Sequence, residues 1–286
     1  MLIKTDVGRL IVSCPDRHGI VAALSTALAD AGANIISSDQ HSTNPEGGDF
    51  FLRMEFHLGD FADHRASLER ELSAIAERFE MSWRLTSAQT RKRVALFASR
   101  EAHCLLDLLW RWRTEELEMD VVAVVSNHPE HEADVRAFRV PYHHIPVSRE
   151  TKPQAEQRQI DLLAGKVDLV VLARYMQILS GDFLSRIQAP VINIHHSFLP
   201  AFAGADPYAR AYARGVKLIG ATAHYATEVL DEGPIIEQDT ARVSHRQDPD
   251  ELTRIGRDIE RVVLARALHW HLDDRVIVHG QRTIVF

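Results

Sequence analysis

Four consecutive apolar residues, Leu169-Val170-Val171-Leu172, constrain this chain more than any other feature. Side chains of a strand alternate between faces, so a strand that is apolar on both sides must be covered on both sides. Helical patterns flank it, over 153–164 and again after Ser180. The alternation continues in both directions. Strand patterns at 94–98, 121–126, 142–146, 167–173 and 191–195 are separated by helical ones near 103–116, after Pro129, at 153–164 and after Ser180. A helix near 207–214, strands near 217–225 and 234–243, a long helix over 249–271 and a terminal hairpin over 276–286 follow. This order predicts an α/β fold built on a doubly wound sheet, with ligand sites at the carboxyl ends of its strands.

The N-terminal part has a different rhythm. An apolar strand at 9–14 stops at Pro15-Asp16-Arg17-His18-Gly19, and Ile20, Val21, Leu24, Ala27, Leu28 and Ala31 then keep helical spacing until Gly32. A strand starts at Asn34. After the turn at Asn44-Pro45-Glu46-Gly47-Gly48, Phe50, Leu52, Met54 and Phe56 alternate with Phe51, Arg53, Glu55 and His57, which predicts a half-exposed strand hairpinned to the one before it. A helix over 63–78 and a strand through Met81, Trp83 and Leu85 complete a β-α-β-β-α-β order, the ferredoxin-like pattern. At 286 residues the chain exceeds the usual size of one domain. The expected division is a module over 1–86, a polar linker over 87–93 and an α/β domain over 94–286.

Composition excludes several classes of partner. With 33 basic and 40 acidic side chains the net charge is −7, and Arg91-Lys92-Arg93 is the single basic run, so nucleic acid is not expected. No stretch approaches the ~18 apolar residues of a membrane span. The first sixteen residues reach Asp6 and Arg9 before any long apolar run, unlike a secretory leader. Cys14 and Cys104 are far apart and form no C-x-x-C, which suits a reducing, cytoplasmic setting. Sixteen histidines do not make a metal site: His195-His196 and His143-His144 are adjacent and diverge, and His269-x-His271 does not share a helix face. No metal is expected.

The chemistry concentrates in residues 191–239. In Asn193-Ile194-His195-His196-Ser197, Asn193 and His195 point to one face of a strand and Ile194 to the other. Further on, Leu230-Asp231-Glu232-Gly233-Pro234 is a turn signature bearing two carboxylates. An Asn, a His and an Asp that converge can hold a carbonyl oxygen, supply a proton and orient a water, which many carbonyl chemistries share. His224 closes a strand near Asp231 and is read as its supporting partner. His196 is expected on the opposite face from His195, in a structural hydrogen bond. Glu228 and Glu232 read as solvated loop carboxylates, and His103 as an acceptor-side or a structural residue.

Pro15-Asp16-Arg17-His18-Gly19-Ile20-Val21 with Gly32-Ala33-Asn34-Ile35 resembles the start of ACT domains. Such modules pair edge to edge and bind an amino acid. The resemblance implies a homo-oligomer and an amino-acid effector, with Asp16, Gly19 and Asn34 as effector-binding candidates. From about residue 94 onward the chain resembles the formyltransferase superfamily, whose catalytic domain is a Rossmann-like sheet. Those enzymes handle the formyl group of 10-formyltetrahydrofolate with an Asn, a His and an Asp, which fall here on Asn193, His195 and Asp231. Arg174, Tyr175, Met176, Gln177, Ile178 and Leu179 resemble the segment that holds the pterin ring, with Thr227 and Leu230 in the opposite wall. Transferases acting on a phosphorylated acceptor have a glycine-rich loop after the first strand; here Phe97-Ala98-Ser99-Arg100-Glu101-Ala102-His103-Cys104 contains no glycine. That loop, the ACT-like module and His196 in a place where transferases usually have proline are similar to the deformylase branch, in which water takes the formyl group. The resemblance implies hydrolysis of 10-formyltetrahydrofolate to formate and tetrahydrofolate, with no cofactor beyond the folate substrate. A formyltransferase acting on a small amine, or a folate and amino-acid sensor without catalysis, are the alternatives.

Overall fold

The computed structural model describes residues 6–200 and 207–286, so residues 1–5 of the leader reading and 201–206 of the long chemical stretch lie outside the description. It contains two compact units, Met1–Arg91 with Asp273–Ile277 and Ile284–Phe286, and Lys92–Leu272 with Val278–Thr283.

The first unit runs β1 (Val7–Pro15), α1 (Ile20–Asp30), β2 (Asn34–Ser42), β3 (Asp49–His57), α2 (Phe61–Phe79) and β4 (Ser82–Ser87). Its antiparallel sheet has the order β2-β3-β1-β4. Leu10, Val12, Leu52, Met54 and Phe56 on one sheet face join Leu24, Leu28, Leu68 and Leu72 of the helices in a single core. At a ferredoxin-like order this is the expected consequence of two amphipathic helices covering one face.

Burial of the opposite face differs from the half-exposed strand that the alternation of β3 predicts. Phe51 is 1% and Arg53 6% exposed. The cover comes from the chain's far end: Ile277, Ile284 and Phe286 pack on Ile11 and Phe51, and Arg9 donates to Asp273 Oδ1 at 3.1 Å. Arg53 donates to Glu55 at 2.7 Å and to the Asp273 carbonyl at 3.1 Å, and Thr86 to Asp274 at 2.9 Å. These two buried arginines are thus paired, as burial of charge requires. The expected boundaries shift accordingly. Lys92 and Arg93 belong to a strand rather than to a linker, and the last residues count with the first unit.

The second unit contains β5 (Lys92–Ala98), α3 (His103–Arg113), β6 (Met119–Ser126), α4 (Glu132–Ala137), β7 (Tyr142–His144), α5 (Lys152–Leu163), β8 (Leu169–Leu172), α6 (Gly181–Ile187), β9 (Val191–His195), α7 (Pro207–Arg214), β10 (Leu218–Tyr225), β11 (Ile235–Arg242) and α8 (Pro249–Leu272). A hairpin of β12 (Val276–His279) and β13 (Arg282–Val285) ends the chain. The seven-stranded sheet has the order β11-β10-β9-β8-β5-β6-β7. Strands β5 to β9 are parallel, whereas β10 runs antiparallel to both β9 and β11. The run 169–172 is fully covered, with Leu169, Val170 and Val171 at 0% exposure. Connections leave β5 and β8 in opposite directions, which opens a crevice at their carboxyl ends. No helix among the described residues is long and apolar enough to cross a membrane.

Candidate active site

The crevice is built by three loops that follow neighbouring strands. After β5, the Ser99 hydroxyl donates to Asn127 Oδ1 at 2.7 Å and accepts from the backbone of Met176 at 3.0 Å, tying the first loop to the one after β8. Within that second loop Tyr175 and Leu179 turn inward. Tyr175 stacks edge-on against Phe97, and its hydroxyl accepts from Gln159 Nε2 at 3.0 Å. Met176 and Ile178 are left more than half exposed, at 53% and 57%. Ser180 ends the loop by capping α6: its hydroxyl accepts from the Phe183 N–H at 3.1 Å.

Asn193 and His195 share a face of β9, as strand alternation requires, and antiparallel pairing sets His224 of β10 directly opposite Asn193. Asp231 comes from the turn between β10 and β11 at a left-handed φ of 60°. A side chain on Gly233 would meet the Tyr225 carbonyl oxygen at 1.7 Å, so only glycine lets this turn lie against the end of β10. The carboxylate Oδ1 of Asp231 is 3.3 Å from His195 Nδ1 and 3.9 Å from His224 Nε2.

Protonation follows from burial and neighbours. The hydrogen bond with His195 lowers the pKa of Asp231, against the opposing effect of burial, and the histidine charges add to it. Burial lowers that of His224. A neutral imidazole has one donor and one acceptor. His224 Nδ1 faces the Tyr225 carbonyl at 3.0 Å and therefore carries the proton, leaving Nε2 to accept from Asn193 Nδ2 at 3.2 Å. The Asn193 amide is thereby fixed with its second N–H lacking a partner among the described residues. His196 differs from the sequence expectation. The strand ends at His195, alternation stops, and the His196 ring lies 5.1 Å from that of His195. Burial first, then the charges of Arg174 and His195, push its pKa down to about 3.

These residues line a cleft of about 230 Å³ together with all six residues 174–179, Thr227 and Leu230. Leu172, Leu184, Ile194 and Ala226 also line it; their apolar character was visible, but nothing in their spacing distinguished cleft from core. Glu228 and Glu232 are exposed, as a solvated loop predicts. In the first unit, Asp16 and Gly19 lie on one turn, where the Ser42 hydroxyl donates to Asp16. Asn34 does not join them. It starts β2, whose other end is Ser42, and eight residues of strand separate the two by about 26 Å.

A second, polar cavity of about 270 Å³ adjoins the cleft and shares Arg174, Met176 and His196 with it. Its centre is Glu260 of α8, 1% exposed. Tyr208 donates to Glu260 Oε1 at 2.6 Å, and His103 Nε2 is 2.7 Å and Arg174 Nε 3.3 Å from Oε2. Burial raises the Glu260 pKa, but His103, Arg174 and Tyr208 together outweigh it and the net shift is down. A side chain at Gly256 would meet Tyr208 Oη at 2.0 Å, so this glycine makes room for the phenol one helical turn before Glu260. Sequence reasoning missed Glu260 and Tyr208; a lone acidic residue among the apolar positions of a long helix is the one trace that they left. His103, Cys104 and Glu260 place ligand-type atoms within 4.8 Å of one another. Both Glu260 oxygens are engaged, and burial with the Glu260 charge raises the Cys104 thiol well above its usual range, so these residues fit a metal poorly.

A formyl transferase family model matches residues 92–268, and an ACT domain model residues 8–77. Formyltetrahydrofolate deformylase of Mycobacterium tuberculosis is 62% identical over 282 residues, covering 98% of this chain and 91% of the relative. That of Bacillus subtilis is 54% identical over 282 residues, covering 98% and 94%. The crystal structure of a formyltetrahydrofolate deformylase from Pseudomonas syringae pv. tomato superposes with a TM-score of 0.92 at 49% identity, over 98% of this chain and 94% of that one. With relatives this similar over both units, the chain belongs to the formyltetrahydrofolate deformylase family.

Proposed function

We propose that the chain hydrolyses 10-formyltetrahydrofolate to formate and tetrahydrofolate, with Asn193, His195 and Asp231 as its catalytic residues. The convergence of these three side chains on one apolar cleft, in a chain of this family, carries the reading. Water adds to the formyl carbon while the Asp231 and His195 pair takes its proton. The formyl oxygen becomes an oxyanion, which the second N–H of Asn193 stabilises; one such donor lowers the barrier by about 3 kcal/mol. The C–N10 bond then breaks as the proton passes to N10, and formic acid ionises to formate. His224 holds the Asn193 amide in the donating orientation. Residues 174–179, Thr227 and Leu230 form the folate walls.

The chemistry uses no metal and no cofactor beyond the folate substrate. The ACT module fits control by an amino acid, and the Asp16 to Gly19 turn is the proposed seat of its carboxylate, because free N–H groups at a helix start suit an anion. Self-association of this module, with β2 as an edge strand, and a cytoplasmic setting in keeping with two buried free thiols complete the proposal. Formate release from 10-formyltetrahydrofolate without any amine present tests it. Release that appears only when glycinamide ribonucleotide or another amine is added would make the chain a transferase.

A further inference from the structure

We propose that the polar cavity beside the cleft holds the formate product, bound by the Arg174 guanidinium. The inference rests on the hydrolytic reading above. Hydrolysis leaves one large product, tetrahydrofolate, and one small anion, formate, and the two meet different walls. Arg174 stands between them, lining the cleft on one side and the cavity on the other.

Three observations point to an anion at Arg174. The first is its hydrogen bonding. Its side chain is 13% exposed, and neither Nε nor the first terminal nitrogen makes an aligned hydrogen bond to any described residue. Glu260 balances the charge from 3.3 Å, yet Tyr208 and His103 already hold both of its oxygens. A buried guanidinium with unspent donors is costly unless an oxygen ligand meets it, and a carboxylate matches the planar fork. The second is the backbone: Arg174 has φ 64°, a left-handed conformation that is unfavourable for any residue with a side chain. The strain is borne at the position that sends a cation to the wall shared by both spaces.

The third is the balance of the other charges around the cavity. Glu101 is paired with Arg257 at 2.8 Å, and Asp250 lies exposed at the rim. His103 sits between two carboxylates, with Nε2 2.7 Å from Glu260 Oε2 and Nδ1 3.7 Å from Glu101 Oε2, so Glu101 and Glu260 are both met by basic side chains. At about 30 Å³ per water, a cavity of about 270 Å³ takes formate and several waters. Formate then binds while folate still fills the cleft.

The test is steady-state inhibition of the full chain by sodium formate, with sodium chloride and sodium acetate as controls for ionic strength and size. Formate is expected to inhibit noncompetitively against 10-formyltetrahydrofolate, and more strongly than chloride or acetate. Arg174→Gln, which keeps a hydrogen-bond donor but removes the charge, is expected to raise the formate inhibition constant about tenfold or more, with partial recovery in Arg174→Lys. An unchanged inhibition constant in Arg174→Gln, or purely competitive inhibition in the wild type, overturns the proposal. Should the variants fail to fold, line broadening of ¹³C-formate by the wild type decides. Broadening that persists with saturating tetrahydrofolate supports the site, and its loss overturns it. Because this readout needs no turnover, a wild type that releases no formate would sink the hydrolytic reading separately.

Discussion

His195 Nδ1 and Asp231 Oδ1 lie 3.3 Å apart, although one side chain comes from the end of β9 and the other from the turn between β10 and β11. The carboxylate holds the imidazole at Nδ1, and the Nε2 atom is buried with no hydrogen-bond partner among the described residues. Asp231→Asn is isosteric and removes the charge. It is expected to bind folate as the wild type does and to lose about 10³-fold or more in kcat, read from formate release beside a folate titration. The same variant should flatten the acid limb of stability. A depressed aspartate pKa contributes stability above the unfolded value of 3.8, lost as pH falls through the lower folded value, so the variant lacks that part of the decline.

Asn193→Ala should lower kcat by about 10²–10³-fold with little change in KM, because the lost hydrogen bond forms mainly in the transition state. His224 offers a finer test of the same amide. His224→Leu removes the acceptor that orients Asn193 and is expected to reduce kcat about tenfold, whereas His224→Gln retains an acceptor and recovers part of it. Equal kcat in both variants would show that the orientation of Asn193 does not depend on His224.

His196 gives the protein a dependence on pH at neutral to acid values. Its folded pKa, about 3, is below the unfolded 6.5. The unfolded state therefore binds a proton first, and stability is full above 6.5 and falls as pH drops towards 3, by at most about 1.4 kcal/mol per pH unit. Chemical denaturation at several pH values should show a shallower decline over this window in His196→Gln.

Gly233→Ala places a methyl group where the Tyr225 carbonyl oxygen stands. The turn must move and carry Asp231 with it. A loss of about 1–3 kcal/mol in stability is expected, with a fall in kcat larger than the change in folate affinity, measured by denaturation and kinetics on the same preparation.

Amino acids added as a panel should change kcat or KM through the first unit, and Asp16→Ala should abolish the response while leaving unliganded turnover intact. Identical kinetics and melting temperature across the whole panel would remove the effector role and leave the module one of self-association.

Much of the architecture was legible because the relevant signals are local. The apolar run at 169–172 announced a strand covered on both faces, and the period of two put Asn193 and His195 together before any partner strand was known. The Leu-Asp-Glu-Gly-Pro turn could be read from its residue types. The same period misplaced His196, since alternation holds only while the strand lasts, and β9 stops one residue earlier. It also misjudged β3, whose second face is covered by Ile277, Ile284 and Phe286 from the other end of the chain.

Sequence by itself determined the two folds, their order and the shared strand face of Asn193 and His195, because hydrophobic periodicity and turn chemistry act between near neighbours; the choice of Asp231 over Glu232 came from the family resemblance. Only the tertiary structure decided that Glu260 of α8 meets Tyr208, His103 and Arg174, that His224 orients Asn193, and that Asn34 lies far from Asp16. A buried charge is stable only where partners from distant segments surround it, and no local pattern records which segments those are.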